Sequence, residues 1–442
     1  MNRLVYLIVA VYLFLTPTVV AEPVNLYTAY LKALEYDAKL KVAEAGHNAK
    51  KEEIAKARAN LLPTLRASVT QGRNATESTT LSASPTEYWY NTKRYSITAK
   101  QPLLNMESIA AYGQAKAQVK KSEVLLLKEQ KDLLLRTADV YFNMLYAQDQ
   151  LSFSVVHLDA LKEQLEQAKK RYRAGYGTIT EISEVQAEYD MALADHLESE
   201  NSIEILRHKL ENITGVYPAI PYVLDPDKMH LKIPEPHSVD EWIALAQENN
   251  YDLDALHHDI TIAAKEIAKQ RYMSLPTVDL VASKSYSESG NDYSIGSKYD
   301  TYSLNVQLNL PLYTGGYTSA AVRQAKSNRI AAYEQLNFQE REISTVVREY
   351  YRITEQSIAK IRAYQQAVKS SEIALTGTKK GYTAGLRSNV DVLNAIDALY
   401  FSSRNLAKSR YDYILSRIFL KQAAGVLSED ELVEISSWLV KQ

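Results

Sequence analysis

The chain has 442 residues, 46% of them hydrophobic and 24% charged, with a formal net charge of −2. This balance fits a packed chain and offers no basic excess for nucleic acid. Cysteine is absent, which excludes disulfides and an acylated N-terminal cysteine. Gly and Pro number only 14 and 12, which suits long helices. Tyr is abundant, 32 against 6 Phe and 3 Trp, and its apolar body with a polar tip suits wet interfaces and membrane boundaries.

Residues 1–21 read as a secretory signal. Arg3 supplies the positive start, Leu4 through Leu15 a short apolar run, and Thr16-Pro17 ends it before the small residues at Val19-Val20-Ala21. The run is too short for a comfortable membrane-spanning helix. Residues 25–60 follow as helix, with Leu31, Leu34, Ala38 and Val42 near helical spacing, and Leu62-Pro63 stops it. Leu65, Ala67 and Val69 then alternate with Arg66, Ser68 and Thr70 as a strand. A polar loop is expected from Gly72 to Thr86. A return strand runs through Tyr95, Ile97 and Ala99 to Pro102.

From residue 108 to 172 the chain has no Pro and one glycine, Gly113. A helix of that length reaches roughly 100 Å. Within it Leu151, Val155, Leu158, Leu161, Leu165, Ala168 and Tyr172 step by three and four, a coiled-coil seam. After a turn at Gly175 and Gly177 a second helix carries Ile182, Tyr189, His196, Ile203 and Leu210 every seventh residue. His196 in that column reads as a packed residue rather than a ligand. Pro218, Pro221, Pro226, Pro234 and Pro236 then mark a connector.

The second half repeats the first. Tyr172-Arg173-Ala174-Gly175 returns as Tyr382-Thr383-Ala384-Gly385, and Gln114-Ala115-Lys116 returns at the same offset as Gln324-Ala325-Lys326. Gly215 returns as Gly425, and Leu62-Pro63-Thr64 as Leu275-Pro276-Thr277. So long a repeat means two copies of one large hairpin unit rather than a solenoid. Val278, Leu280 and Ala282 form the third strand. After a polar loop around residues 287–292 comes a fourth, 302–312. There Tyr302, Leu304, Val306, Leu308, Leu310 and Leu312 share one face, and Ser303, Asn305, Gln307 and Asn309 the other. That length can cross a bilayer as a tilted strand. Tyr88, Trp89, Tyr90, Tyr293, Tyr299 and Tyr313 lie near strand ends, where aromatic girdles or packing residues sit. Val392, Leu399, Leu406, Tyr413 and Leu420 repeat the heptad column of the first copy.

The segments predicted are a signal at 1–21, a first repeat at 22–216, the connector at 217–240, a second repeat at 241–425 and a tail at 426–442. Four strands cannot close a barrel, so strands that span require several chains to share one. A soluble sandwich remains the alternative for any one strand, and a coiled-coil interaction protein without a pore the alternative for the whole. The motifs of nucleotide-binding, hydrolase and zinc enzymes are absent from the sequence, and His257-His258 do not share a helix face. No catalytic, cofactor or metal residues are therefore assigned. Thr180, Glu181 and Glu184 follow the first glycine turn, and Arg387, Asp391 and Asn394 the second. Spacing alone makes these an ordinary solvated face; around an oligomer axis they become rings.

At these residues the chain resembles the TolC family of outer-membrane efflux proteins. The resemblance rests on Gly381-Tyr382-Thr383-Ala384-Gly385-Leu386-Arg387-Ser388-Asn389-Val390-Asp391, on the run from Asn405 to Tyr413, on the duplication and on the Leu-Pro strand entries. It implies a mixed α/β fold with an internal two-fold repeat. A homotrimer would share a twelve-stranded outer-membrane β-barrel, four strands per chain, continuing into a periplasmic helical barrel of coiled-coil hairpins. It implies the outer membrane of a Gram-negative bacterium and a passive exit duct for drug efflux or type I protein secretion. The implied partners are a periplasmic adaptor and an inner-membrane efflux pump or ABC transporter. By position, Tyr382 and Arg387 match closed-state linkers, with Glu181 and Thr180 as partners. Asp391 matches an acidic constriction ring, and Asn394 stands where a second Asp is expected. Gly175, Gly385 and Leu386 match adaptor-docking tips, with Tyr176 in place of a small aliphatic residue.

Overall fold

The computed structural model describes residues 25–79, 85–218, 222–290 and 296–441. The expected signal segment and Tyr293 lie outside them. The chain divides into two compact units, one built from Met1–Val42, Leu127–Asn250 and Arg341–Gln442, the other from Ala43–Leu126 and Tyr251–Glu340.

The duplication is visible element by element. Helices α1 (Leu26–Tyr36) and α2 (Ala38–Ala59) lead into strands β1 (Thr64–Ser78) and β2 (Thr86–Leu104), then α3 (Met106–Arg173) and α4 (Ile179–Thr214). After the short β3 (Val223–Leu224), the second copy has α5 (Val239–Asn249) and α6 (Tyr251–Tyr272), then β4 (Thr277–Ser289) and β5 (Ser297–Asn309), then α7 (Tyr317–Thr383) and α8 (Asn389–Ala423). The long helices α3 and α7 have 68 and 67 residues, and α4 and α8 have 36 and 35. A short α9 (Glu429–Ser436) and β6 (Leu439–Val440) close the chain, with β6 antiparallel to β3.

The first unit packs around Leu26, Leu134, Tyr141, Phe142, Ile414 and Trp438. Helix breaks are placed by side chains that satisfy free backbone groups. Asn25 caps α1 by accepting from the Thr28 amide at 2.8 Å, and Asp37 between α1 and α2 accepts from the Leu40 amide at 2.7 Å. Gly215 and Gly425 end α4 and follow α8 at φ 72° and 73°. At both a side chain is also excluded by space: a Cβ on Gly215 would meet the Tyr36 ring at 2.5 Å, and one on Gly425 the Asn249 carbonyl oxygen at 2.1 Å.

In the second unit an antiparallel sheet has the order β1-β2-β4-β5. Residues directly opposite share a face. The register aligns Leu65, Ala99, Ala282 and Leu304 in one row, and Val69, Tyr95 and Tyr286 two rows on. This face is mainly apolar, with Leu65, Leu304, Val306 and Leu308 on it exposed, and it also carries Lys284 and Asp300, 3.8 Å apart. The opposite face aligns Arg66, Thr98, Ser283 and Ser303, then Ser68, Ser96, Ser285 and Thr301. Hydroxyl pairs hold it, Ser68 with Ser96 at 2.8 Å and Ser283 with Ser303 at 2.7 Å. Below the sheet Lys121 pairs with Asp259 at 2.6 Å and Gln114 donates to Glu266 at 2.8 Å, tying α3 to α6.

Three strand expectations change. The polar stretch from Gly72 to Ser78 is strand, not loop, as are Ser287–Ser289. β5 begins at Ser297 and ends at Asn309, before Pro311, which has no amide to donate. The register also sorts the aromatics. Trp89 shares the apolar face, whereas Tyr88, Tyr90 and Tyr299 fall on the polar one, and Tyr313 lies beyond β5.

Candidate functional site: the paired helical turns

The candidate residues all lie on two helix–turn–helix tips of the first unit, α3 to α4 and α7 to α8. Both turns have the same backbone. The Ala174 amide donates to Lys170 at 3.1 Å, and Ala384 to Lys380 at 3.1 Å. Gly175 donates to Tyr172 and Gly385 to Tyr382, each at 3.0 Å. Gly175 and Gly385 sit at φ 81° and 76°, the left-handed conformation that ends a helix. Tyr176 and Leu386, the next residues, are 80% and 83% exposed.

Between the hairpins lies a core of Leu161, Leu165, Ala168, Val185, Tyr382, Val392 and Ile396. Polar contacts cross it. Gln164 on α3 donates to Asn389 on α8 at 2.5 Å, His157 pairs with Asp397 at 2.9 Å and stacks on Tyr400 at 4.3 Å, and Lys379 lies 3.6 Å from Glu163. Sequence reading passed over Gln164 and His157. Their signal was their place in a leucine seam, where a polar residue needs a partner.

Tyr382 is only 3% exposed, and the Arg171 guanidinium lies over its ring at 4.7 Å. Burial pushes its hydroxyl pKa up, the Arg171 charge opposes that, and the Glu181 charge adds to it. The Tyr382 hydroxyl and Glu181 Oε2 are both buried without a hydrogen-bond partner. The expected bond between them is therefore not made within the chain. Arg171 occupies the space over the ring instead. Thr180 and Arg387 are both exposed, and the described hydrogen bonds include none between them. The cap of α4 is Thr178, which accepts from the Glu181 amide at 3.2 Å.

Asp391 is engaged locally. Its Oδ2 accepts from the Ser388 amide at 2.9 Å while its own amide donates to Ser388 Oγ at 3.1 Å, a reciprocal capping box. The Ser388 amide, then its side chain, then the Arg387 charge hold the carboxyl below the usual carboxylate range. A cap of this kind favours the charged form. Asn394 is exposed one turn on, and Glu184 is exposed after the first turn.

This pair of hairpins matches the family model described as outer membrane efflux protein, in two stretches, residues 29–216 and 242–426. The chain belongs to that family. The two stretches coincide with the two copies of the fold. Among curated relatives, the alkaline protease secretion protein AprF of Pseudomonas aeruginosa is 32% identical over 417 residues, covering 93% of this chain and 86% of the relative. The outer membrane protein TolC of Vibrio cholerae is 33% identical, covering 94% of each. Among solved structures, the outer membrane protein VceC of Vibrio cholerae superposes with a TM-score of 0.75 at 20% identity, over 90% of this chain and 96% of that one. That likeness establishes the fold.

Proposed function

We propose that three chains share one outer-membrane β-barrel and continue into the periplasm as a helical tunnel, a passive exit duct. The supporting observation is the sheet: one apolar exposed face, one hydroxyl-rich face, and β1 and β5 as outer strands that need partners. Backbone groups at an open edge are costly in lipid, and pairing β5 of one chain with β1 of the next removes both edges. The cargo is drugs, secreted proteins or both: similar chains are named for protease secretion and for solvent efflux. The energy comes from an inner-membrane efflux pump or ABC transporter, reached through a periplasmic adaptor docked at Gly175, Tyr176, Gly385 and Leu386.

In this reading the tips form the gate. Tyr382 with Glu181, and Arg387 with Thr180, are its linkers; Asp391 is the charged constriction and Asn394 a neutral ring beside it. The orphaned donor on Tyr382 and the orphaned acceptor on Glu181, whose charge acts on that hydroxyl, support the first pair. The barrel is tested by two neighbouring substitutions. Leu304→Arg on the apolar face should cost about 2–4 kcal/mol and abolish trimers in the membrane fraction. Asn305→Arg on the polar face should leave trimers that conduct in planar bilayers. Equal trimer yields reject the barrel. Tyr382→Phe with Arg387→Ser should raise single-trimer conductance, and an unchanged current rejects the gate.

A further inference from the structure

In the second unit, α6 and α7 line an open cleft of about 460 Å³, with Ala264, Ile267, Ala268, Ile330 and Tyr333 beside Arg271, Lys326 and Arg329. Its floor is apolar and its rim carries three cations. No lining residue is acidic. The carboxylate on the neighbouring turn of α6, Glu266, is occupied by Gln114 and Gln270 at 2.8 and 2.5 Å. Arg271, Lys326 and Arg329 make no ion pair among the described residues. Arg329 donates from Nη2 to the Tyr333 hydroxyl at 3.2 Å, but its Nε is buried and has no hydrogen-bond partner. A buried guanidinium donor left unpaired beside two further cations asks for an anion. Ile330 on the same wall is 63% exposed, an apolar surface that also asks for cover.

We infer that this cleft binds an amphipathic organic anion, its carboxylate or sulfonate on Arg329 and Lys326 and its apolar body on Ile267 and Ile330. The volume falls in the range of small-molecule sites, which are apolar clefts with a few convergent polar groups. It is too small for both chains of a phospholipid. A free inorganic anion would leave Ile330 without cover. The inference goes beyond the duct reading and does not depend on it, since binding is read as heat and conduction as current.

The test is titration calorimetry of the assembled full-length protein with naphthalene-2-sulfonate, set against 2-naphthalenemethanol and inorganic sulfate. The sulfonate should bind roughly tenfold or more tightly than either, because only it supplies both the charge-assisted bonds and the apolar contact. The double change Lys326→Gln with Arg329→Gln should remove that advantage, and Ile330→Trp, which keeps every cation, should weaken binding by filling the floor. Equal affinity for the neutral alcohol, or for sulfate alone, overturns the proposal on the unaltered protein, whether or not the variants assemble. Full binding by an assembled double variant overturns it as well.

Discussion

The two helical turns share a backbone and differ in what their side chains leave unfinished. At the second turn Ser388 and Asp391 satisfy each other in both directions; at the first, Thr178 caps the Glu181 amide but Glu181 returns no bond. Tyr172 is 47% exposed, and its counterpart Tyr382 is 3% exposed. A duplicated hairpin thus keeps its fold through the glycine and the cap, which any copy needs. It diverges at the positions that face the other copy. The first turn holds a spare acceptor, and the second holds the ring beside it.

The largest expected effect separates the tyrosines. Tyr382→Ala should destabilise the assembled protein by about 3–5 kcal/mol in urea unfolding, as for other buried aromatics. Tyr172→Ala should stay within about 0.5 kcal/mol. Equal losses would erase the asymmetry. Next come the caps. Thr178→Ala and Ser388→Ala should each cost about 1 kcal/mol, since each removes one side-chain acceptor and the amide of residue 388 can still donate to Asp391; similar midpoints are the check, and a much larger loss at Ser388 would mean that the two bonds of the box form only together. A finer cut is Tyr382→Phe alone. If the hydroxyl stays unpaired in the assembled state, stability is unchanged or rises. A bond to the Glu181 carboxylate would instead show as a loss of about 1.5–3 kcal/mol.

The smallest effect is a pH dependence. The folded pKa of Asp391 lies below its ordinary value of 3.8. The unfolded state then binds the proton more readily, so the cap's contribution is present above that value and is lost as pH falls through the folded pKa. Asp391→Asn, which still accepts from Ser388, should flatten that acid limb. An unchanged acid limb would mean the capping box is not populated. The carboxylate stays charged at neutral pH, so if Asp391 forms the constriction of the proposed trimer, multivalent cations should block it weakly and Asn394→Asp should strengthen the block.

The helical duplication could be read from the sequence because heptads and glycine turns are local signals. In the column from Val392 to Leu420, Val392, Leu406, Tyr413 and Leu420 are buried. The first seam departs from the pattern at Val155 and at its last residue, Tyr172, which is 47% exposed. Val155 is 42% exposed, and Ser154, bonded to His196 at 3.0 Å, takes the inward position. Stepping back from Leu158 by four gives Ser154, but an apolar eye chooses valine. Strand length was less legible. Gly72 to Ser78 carries polar residues on both faces, so the period of two loses its contrast there, although the backbone pairing continues. Tyr382, Arg387, Glu181 and Thr180 were singled out by family likeness, and all four lie at the two turns. What fills the space over Tyr382 was not legible, because Arg171 comes from a different helix.

The outer strands of the sheet carry a consequence for biogenesis. A lone chain has two ladder edges, 15 residues of β1 and 13 of β5, with no partner inside its own fold. In hydrocarbon each unmet backbone group costs several kcal/mol, so a single subunit has no comfortable resting place in the bilayer. Insertion and oligomer closure then become one step. The rate of appearance of membrane-embedded protein should rise more steeply than linearly with subunit concentration. A subunit waiting for its companions must be shielded in water, where the same edges invite pairing with the wrong chain.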